Sequence, residues 1–154
     1  MDKILHHSVR LRCDAVEAFK MFTNNKHLQS WLCALADVEP MVGGKYELFW
    51  NSEDKENDST LGCKITAIEP DKFLSFEWRG PKQYKHFMNS TDPLTHVVVF
   101  FIPYTTENTQ TPCTEVHVIH SGWRRSPEWE EARQWFERTW STAFKELKKY
   151  VNHQ

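Results

Sequence analysis

The stretch from Ser126 to Val151 constrains the fold more than any other part of the chain. Ser126 is a favourable helix N-cap, and Pro127 suits the first helical position. Glu128, Glu130 and Glu131 stand at the positive end of the helix dipole; Lys145, Lys148 and Lys149 stand at its negative end. At about 100° per residue, Trp129, Phe136, Trp140, Ala143, Leu147 and Val151 share one stripe. The spacing predicts a helix of about 25 residues, roughly 37 Å long. So long a helix with one apolar stripe needs a surface of matching length, and a curved antiparallel sheet needs its concave face covered. Each meets the need of the other.

The rest of the chain supplies that sheet. In "ILHHSVRLRC", Leu5, Val9 and Leu11 alternate onto one face of a strand. Asp14 and Glu17 then form a capping-box pattern for a short helix over Ala15–Phe22, expected to bury Val16, Phe19 and Phe22. "KHLQSWL" reads as a second short helix, with Leu28, Trp31 and Leu32 on one side. Gly43-Gly44 turns the chain into a strand that carries Tyr46, Leu48 and Trp50 on one face. The polar run Asn51–Thr60 reads as a mobile loop. "LGCKITAIE" and "FLSFEW" are the next strands, the latter with Leu74, Phe76 and Trp78 on one face. A helical turn is expected over Tyr84–Met88. "LTHVVVFFIPY" is apolar on both faces and reads as a central strand covered on both sides. "TTENTQTPC" reads as a hairpin loop, and "TEVHVIHSGW" sets Val116, Val118 and His120 together. The expected class is α+β: about six antiparallel strands wrapped on a long C-terminal helix, with two short helices after the first strand.

Composition narrows the function. A chain of 154 residues is expected to form one domain spanning 1–154. Its formal charge of -2 argues against broad attraction to nucleic acid or anionic lipid, so neither a nucleic-acid nor a membrane partner is expected. The N-terminal segment does not read as a signal peptide, and Cys13, Cys33, Cys63 and Cys113 form no Cys-x-x-Cys. Reduced thiols in a cytoplasmic protein are the expectation. Seven Trp and ten Phe carry much of the apolar volume.

The order of elements, with "VRLRCDAVEAFKMFTNNKHLQSWL", "VEPMVGGKYELFW", "LGCKITAIEPDKFLSFEW", "TEVHVIHSGW" and the closing Trp-rich helix, resembles the START-like superfamily with the helix-grip fold. Within it the chain is similar to the family named for the activator of heat shock protein 90 ATPase. The resemblance implies a sheet gripping the C-terminal helix around a cavity. In the superfamily that cavity holds lipids, sterols, polyketides and other apolar or aromatic molecules; one homologous domain acts as a co-chaperone.

The residues point to chemistry less sharply. Trp31, Trp50, Trp78, Phe136 and Trp140 are candidates for a cavity wall, though core filling accounts for large aromatics equally well. His120 shares the inward face of its strand and is a candidate hydrogen-bond donor to a ligand. His117 and His120 fall on opposite strand faces, which argues against a metal pair. No Gly-x-Ser-x-Gly, metal-ligand cluster or phosphate-binding glycine loop is present, so no catalytic residue, metal or cofactor is assigned. Arg133 is expected to pair with Glu137. Trp129 is expected to close one end of the sheet near Ser121-Gly122, Trp140 to sit over its middle, and Trp135 to lie on a flank, packed on a loop or partly exposed and without a part in ligand binding. The preferred function is non-enzymatic binding of a small hydrophobic or aromatic molecule. A protein-interaction module of co-chaperone type and a cavity enzyme of cyclase or hydrolase type are the alternatives.

Overall fold

A computed structural model describes residues 3–106 and 109–153. Strand β1 (Leu5–Leu11) leads into helices α1 (Ala15–Thr23) and α2 (Asn25–Trp31). Strands β2 (Leu35–Val38), β3 (Tyr46–Phe49), β4 (Ile65–Glu69) and β5 (Phe73–Trp78) follow. A 3-10 turn (Lys82–Tyr84) runs into helix α3 (Lys85–Met88), and the long strands β6 (Thr95–Thr106) and β7 (Thr109–Ser121) precede helix α4 (Pro127–Asn152).

Five strands form one antiparallel sheet in the order β1-β7-β6-β5-β4, and β2 and β3 form a separate ribbon. Among the described residues seven strands therefore stand where about six were expected. The added one is β2, whose Ala36 and Val38 alternate inward. The ribbon adjoins the edge of the main sheet through a bridge at Lys45–Lys64, beside the start of β4, and a second bridge ties Phe49 to Ser59 in the intervening loop. Gly43, at φ +81°, makes the turn into β3, and a Cβ on Gly44 would lie 2.2 Å from the Glu39 carbonyl oxygen.

Local sequence explains the helices. The Asp14 carboxylate accepts from the Glu17 backbone N–H and opens α1. The Asn24 side chain accepts from the Lys26 and His27 backbones and opens α2. The Ser126 hydroxyl accepts from the Trp129 backbone and opens α4, with Pro127 at its first position. Helix α4 runs 26 residues across the concave face. Its buried stripe is Trp129, Ala132, Phe136, Trp140, Phe144, Leu147 and Val151. Phe144 takes the place expected for Ala143, which is only half-buried. Inward residues of the sheet meet this stripe: Val97, Val99 and Phe101 from β6, and Val116, Val118 and His120 from β7. Helix α1 closes one end, with Phe22 edge-on to Phe101 at 5.5 Å and to Phe144 at 6.5 Å.

Several local expectations are corrected. Val16 is 44% exposed, because α1 buries the face carrying Ala18, Phe19, Met21 and Phe22. Strand β6 is central but covered on one side only: Phe100 and Ile102 on the convex face are 38% and 49% exposed. Arg133 pairs with Glu130 at 2.6 Å, and Glu137 instead meets His7 across the gap to β1. The loop expected over "TTENTQTPC" is shorter than read, since β6 reaches Thr106 and β7 begins at Thr109; residues 107 and 108 lie outside the described residues.

Candidate functional site: an indole-lined cleft beside the long helix

Beyond Trp78 the chain leaves the sheet through Arg79, Gly80 and Pro81, and the 3-10 turn and α3 fold back against it. A Cβ on Gly80 would stand 2.7 Å from the Met88 sulfur, so glycine permits this close return. Between that segment, the ends of α2 and β3, and one flank of α4 lies a cleft of about 580 Å³. This is within the usual range for small-molecule sites, about 300–1,000 Å³.

The floor is aromatic and buried: Trp31, Trp78, Phe136 and Trp140. Trp50, 41% exposed just past the end of β3, stands at the rim and packs edge-on to Trp78 at 5.9 Å. Trp78 in turn meets Trp140 at 5.7 Å, and Trp140 meets Phe144 at 6.0 Å. Tilted and edge-on pairs at these distances are the favourable aromatic geometries. Rings locked this way leave a gap that no neighbouring side chain fills.

One flank of α4 forms the opposite wall, through Trp135, Thr139, Thr142, Ala143 and Glu146. Positions 135, 139, 142 and 146 follow the i, i+4, i+7, i+11 spacing of a second stripe beside the buried one. Small residues on that stripe keep the wall set back. Trp135 is the half-buried flank residue expected, edge-on to Tyr84 of the 3-10 turn at 6.1 Å and to Phe136 at 4.9 Å; it also lies on the cleft wall, where no part in binding was expected of it. The signal that marks it is the run of small residues at 139, 142 and 143 along the same flank.

His120 lies behind the cleft, not in it. Its side chain is fully buried, and both ring nitrogens are engaged within the core. The Trp140 Nε1–H donates to His120 Nδ1 at 3.1 Å. An indole N–H can only donate, so Nδ1 carries no proton and Nε2 does. Nε2–H then donates to the Thr95 hydroxyl at 3.0 Å, and that hydroxyl donates to the Trp78 carbonyl at 3.4 Å. Burial pushes the imidazole down to about pH 3 for protonation, with His96 a smaller influence in the same direction. The expected role of ligand donor is corrected to that of a neutral anchor, which ties Trp140 to the strand pair carrying Trp78.

The rim is polar. Asn51, Asp58, Gln83, Arg138 and Glu146 stand there. Asp58 accepts from the Lys82 backbone N–H at 2.8 Å, and Glu146 lies 3.9 Å from Lys149. Arg79 is part of the cleft; its Nη1 donates to the Asn89 carbonyl at 3.3 Å, while its Nε is buried without a hydrogen-bond partner among the described residues. Burial pushes the Cys63 thiol up to about 12, against an opposing pull from Arg79. Among the described residues no group of three or more His, Cys, Asp or Glu could hold a metal ion. His117 turns outward to His6 and Glu115 while His120 turns inward.

Trp129 packs at the far end of α4, against Trp123 at 6.2 Å and Phe87 at 5.1 Å, next to the strand end at Ser121. It shares nothing with the cleft.

A curved antiparallel sheet, two short helices after its first strand and a long C-terminal helix around a lateral cavity define the helix-grip architecture of START-like proteins. The family model of activator of Hsp90 ATPase homolog 1-like proteins matches residues 12–152, and the chain belongs to that family. Solved structures share the fold at low identity. Protein MLL2253 from Mesorhizobium loti is 19% identical, with a TM-score of 0.75 over 99% of this chain and 98% of that one. PFC0360w, an HSP90 activator from Plasmodium falciparum, is also 19% identical, with a TM-score of 0.69 over 97% and 96%. CalU16 from Micromonospora echinospora is 13% identical, with a TM-score of 0.66 over 98% and 83%. No curated protein matches the sequence. Among the described residues, no helix is long and apolar enough to cross a membrane.

Proposed function

We propose that this protein binds a small, predominantly aromatic molecule non-covalently in the cleft between α4 and the end of β5. The observation that carries the reading is the cleft itself: about 580 Å³ floored by Trp31, Trp78, Phe136 and Trp140. An apolar space of that size, open at a polar rim, favours a ligand with an apolar body and a wetted end. Binding is preferred over catalysis because His120, the buried imidazole nearest the floor, spends both nitrogens inside the core. The test is a thermal-shift screen of lipids, sterols and polycyclic aromatics, followed by indole fluorescence titration of each hit. Stabilisation that grows with ligand concentration supports the reading; no hit among aromatics of cleft size sinks it.

A second reading is association with another protein, as the HSP90 activator among the structural relatives suggests. The feature that favours it is the uncovered convex face at Phe100 and Ile102. The cleft is the more developed feature, so ligand binding is ranked first.

A further inference from the structure

Away from the cleft, we infer that His6 is an activated nucleophilic histidine, whose Nδ1 takes the acyl group of an activated ester with an apolar chain. Four polar side chains form one line on the outer face of β1 and β7. His6 Nε2 lies 2.8 Å from His117 Nδ1, His117 Nε2 lies 2.7 Å from Glu115 Oε1, and Arg10 Nε donates to Glu115 Oε2 at 2.9 Å. Strand pairing assembles this line. His6, Ser8 and Arg10 alternate outward on β1, opposite Ile119, His117 and Glu115 of β7. His6 and His117 stand 111 residues apart in the chain, so no local motif marks them.

The carboxylate end of the line sets the role of every nitrogen. Hydrogen bonds from Arg10 and then His117 hold the Glu115 carboxyl below the usual carboxylate range. An ionised carboxylate only accepts, so His117 Nε2 carries a proton. The neutral His117 ring then has a bare Nδ1, which accepts from His6 Nε2–H. That puts the one proton of a neutral His6 on Nε2 and leaves its Nδ1 lone pair free. The ring centroids stand 5.1 Å apart with planes 18° from parallel, so the two imidazoles meet edge to edge, nitrogen to nitrogen. Among the described residues His6 Nδ1 has no hydrogen-bond partner, and the side chain is exposed.

A carboxylate bonded behind an imidazole fixes its tautomer and stabilises the imidazolium that forms when it takes a proton. His117 and Glu115 are so placed behind His6. In the reaction, His6 Nδ1 attacks the acyl carbon and forms the new C–N bond. The C–O bond to the leaving group breaks, and that group departs as its anion. The Nε2 proton of His6 passes to His117 Nδ1, where the Glu115 carboxylate stabilises the cation. Water then hydrolyses the acyl-imidazole to the free acid, and His117 returns the proton to His6 Nε2. The acyl chain has apolar surface beside the ring. Ile119 stands opposite His6, Val98 opposite Ile119, and Phe100, 38% exposed, opposite His117.

The test compares the rates at which the eight histidines react with diethyl pyrocarbonate, read by mass-spectrometric mapping. His86, its side chain 65% exposed on α3, is the reference for an accessible histidine outside the line. His6 is expected to react about tenfold faster than His86. Glu115→Gln and His117→Gln should each bring it to within about twofold of that reference. Nitrogen NMR of the unmodified chain, which needs no variant, should show the His6 proton on Nε2 and none on Nδ1. Release of nitrophenolate from 4-nitrophenyl butyrate should fall several-fold in His6→Gln. Measured against free imidazole, the butyrate should outpace the acetate several-fold, because its longer chain reaches the apolar surface. A His6 that reacts no faster than His86, a rate unchanged in both Gln variants, or a proton on His6 Nδ1 overturns the inference. Equal enhancement of butyrate and acetate overturns the apolar acyl class.

Discussion

The Trp140 indole donates to His120 Nδ1 at 3.1 Å, and this bond joins the long helix to the centre of the sheet. It fixes the tautomer of a neutral imidazole and sets the plane of the Trp140 ring. One side of that ring packs on Trp78 and Phe144; the cleft begins at its edge. The same residue is thus core and wall.

Trp140→Ala is expected to cost about 3–5 kcal/mol of stability, since it removes a buried indole from a packed cluster. Trp140→Phe keeps the packing but leaves His120 Nδ1 without a donor, for a cost of about 1–3 kcal/mol. Denaturant unfolding of the two variants checks this. A loss below about 1 kcal/mol for Trp140→Ala would show a ring that is wall alone.

His120 should stay neutral through the ordinary pH range. Its folded pKa, near 3, lies below the value of about 6.5 for a free imidazole. As pH falls below 6.5 the unfolded chain binds a proton that the folded chain refuses. The stability this group contributes is therefore complete above about pH 6.5 and is lost progressively toward pH 3, at no more than about 1.4 kcal/mol per pH unit. The His120 ring proton signal should hold its position from pH 8 to about 4.5. A titration midpoint near 6.5 would contradict the buried placement.

Cys33 and Cys63 should be inert in the folded chain. Burial pushes their thiols up to about 11 and about 12, so little thiolate exists near neutral pH. Mass-spectrometric mapping after brief iodoacetamide treatment should find both unmodified in native buffer and both modified in guanidinium chloride. Native modification of either would show a local opening that the structure does not contain.

The convex face offers a way to separate the two functional readings. Ile102 is 49% exposed on a strand whose inward neighbours carry the packing. Ile102→Lys should change stability by no more than about 0.5 kcal/mol. It should leave aromatic binding intact. The chain alone is expected to leave the ATPase rate of heat shock protein 90 at its basal value; a several-fold stimulation that Ile102→Lys abolishes would reverse the ranking of the readings.

Much of this fold is legible in the sequence because local rules act alone there. Ser126-Pro127 and the charge gradient mark α4, and alternation marks the inward faces of β5 and β7. The convex face is a different case. In "VVVFFIPY" both faces are apolar, so periodicity cannot say which one meets solvent; that depends on where α4 and α1 lie. The candidate wall is half legible for the same reason. Trp31, Trp78, Phe136 and Trp140 follow from inward faces. His120 shares an inward face too, but its distance from the cleft depends on a partner twenty residues away in the chain. Trp135 sits off the buried stripe, and only the return of the chain at Gly80 and α3 makes that flank a wall.

The most direct test of the central claim follows the seven indole N–H signals during titration with the tightest aromatic compound from the screen. The account predicts saturable shifts at Trp50, Trp78 and Trp135, with Trp123 and Trp129 unmoved at the far end of α4. Shifts confined to Trp123 and Trp129, or none at any of the cleft indoles at saturating ligand, would contradict it.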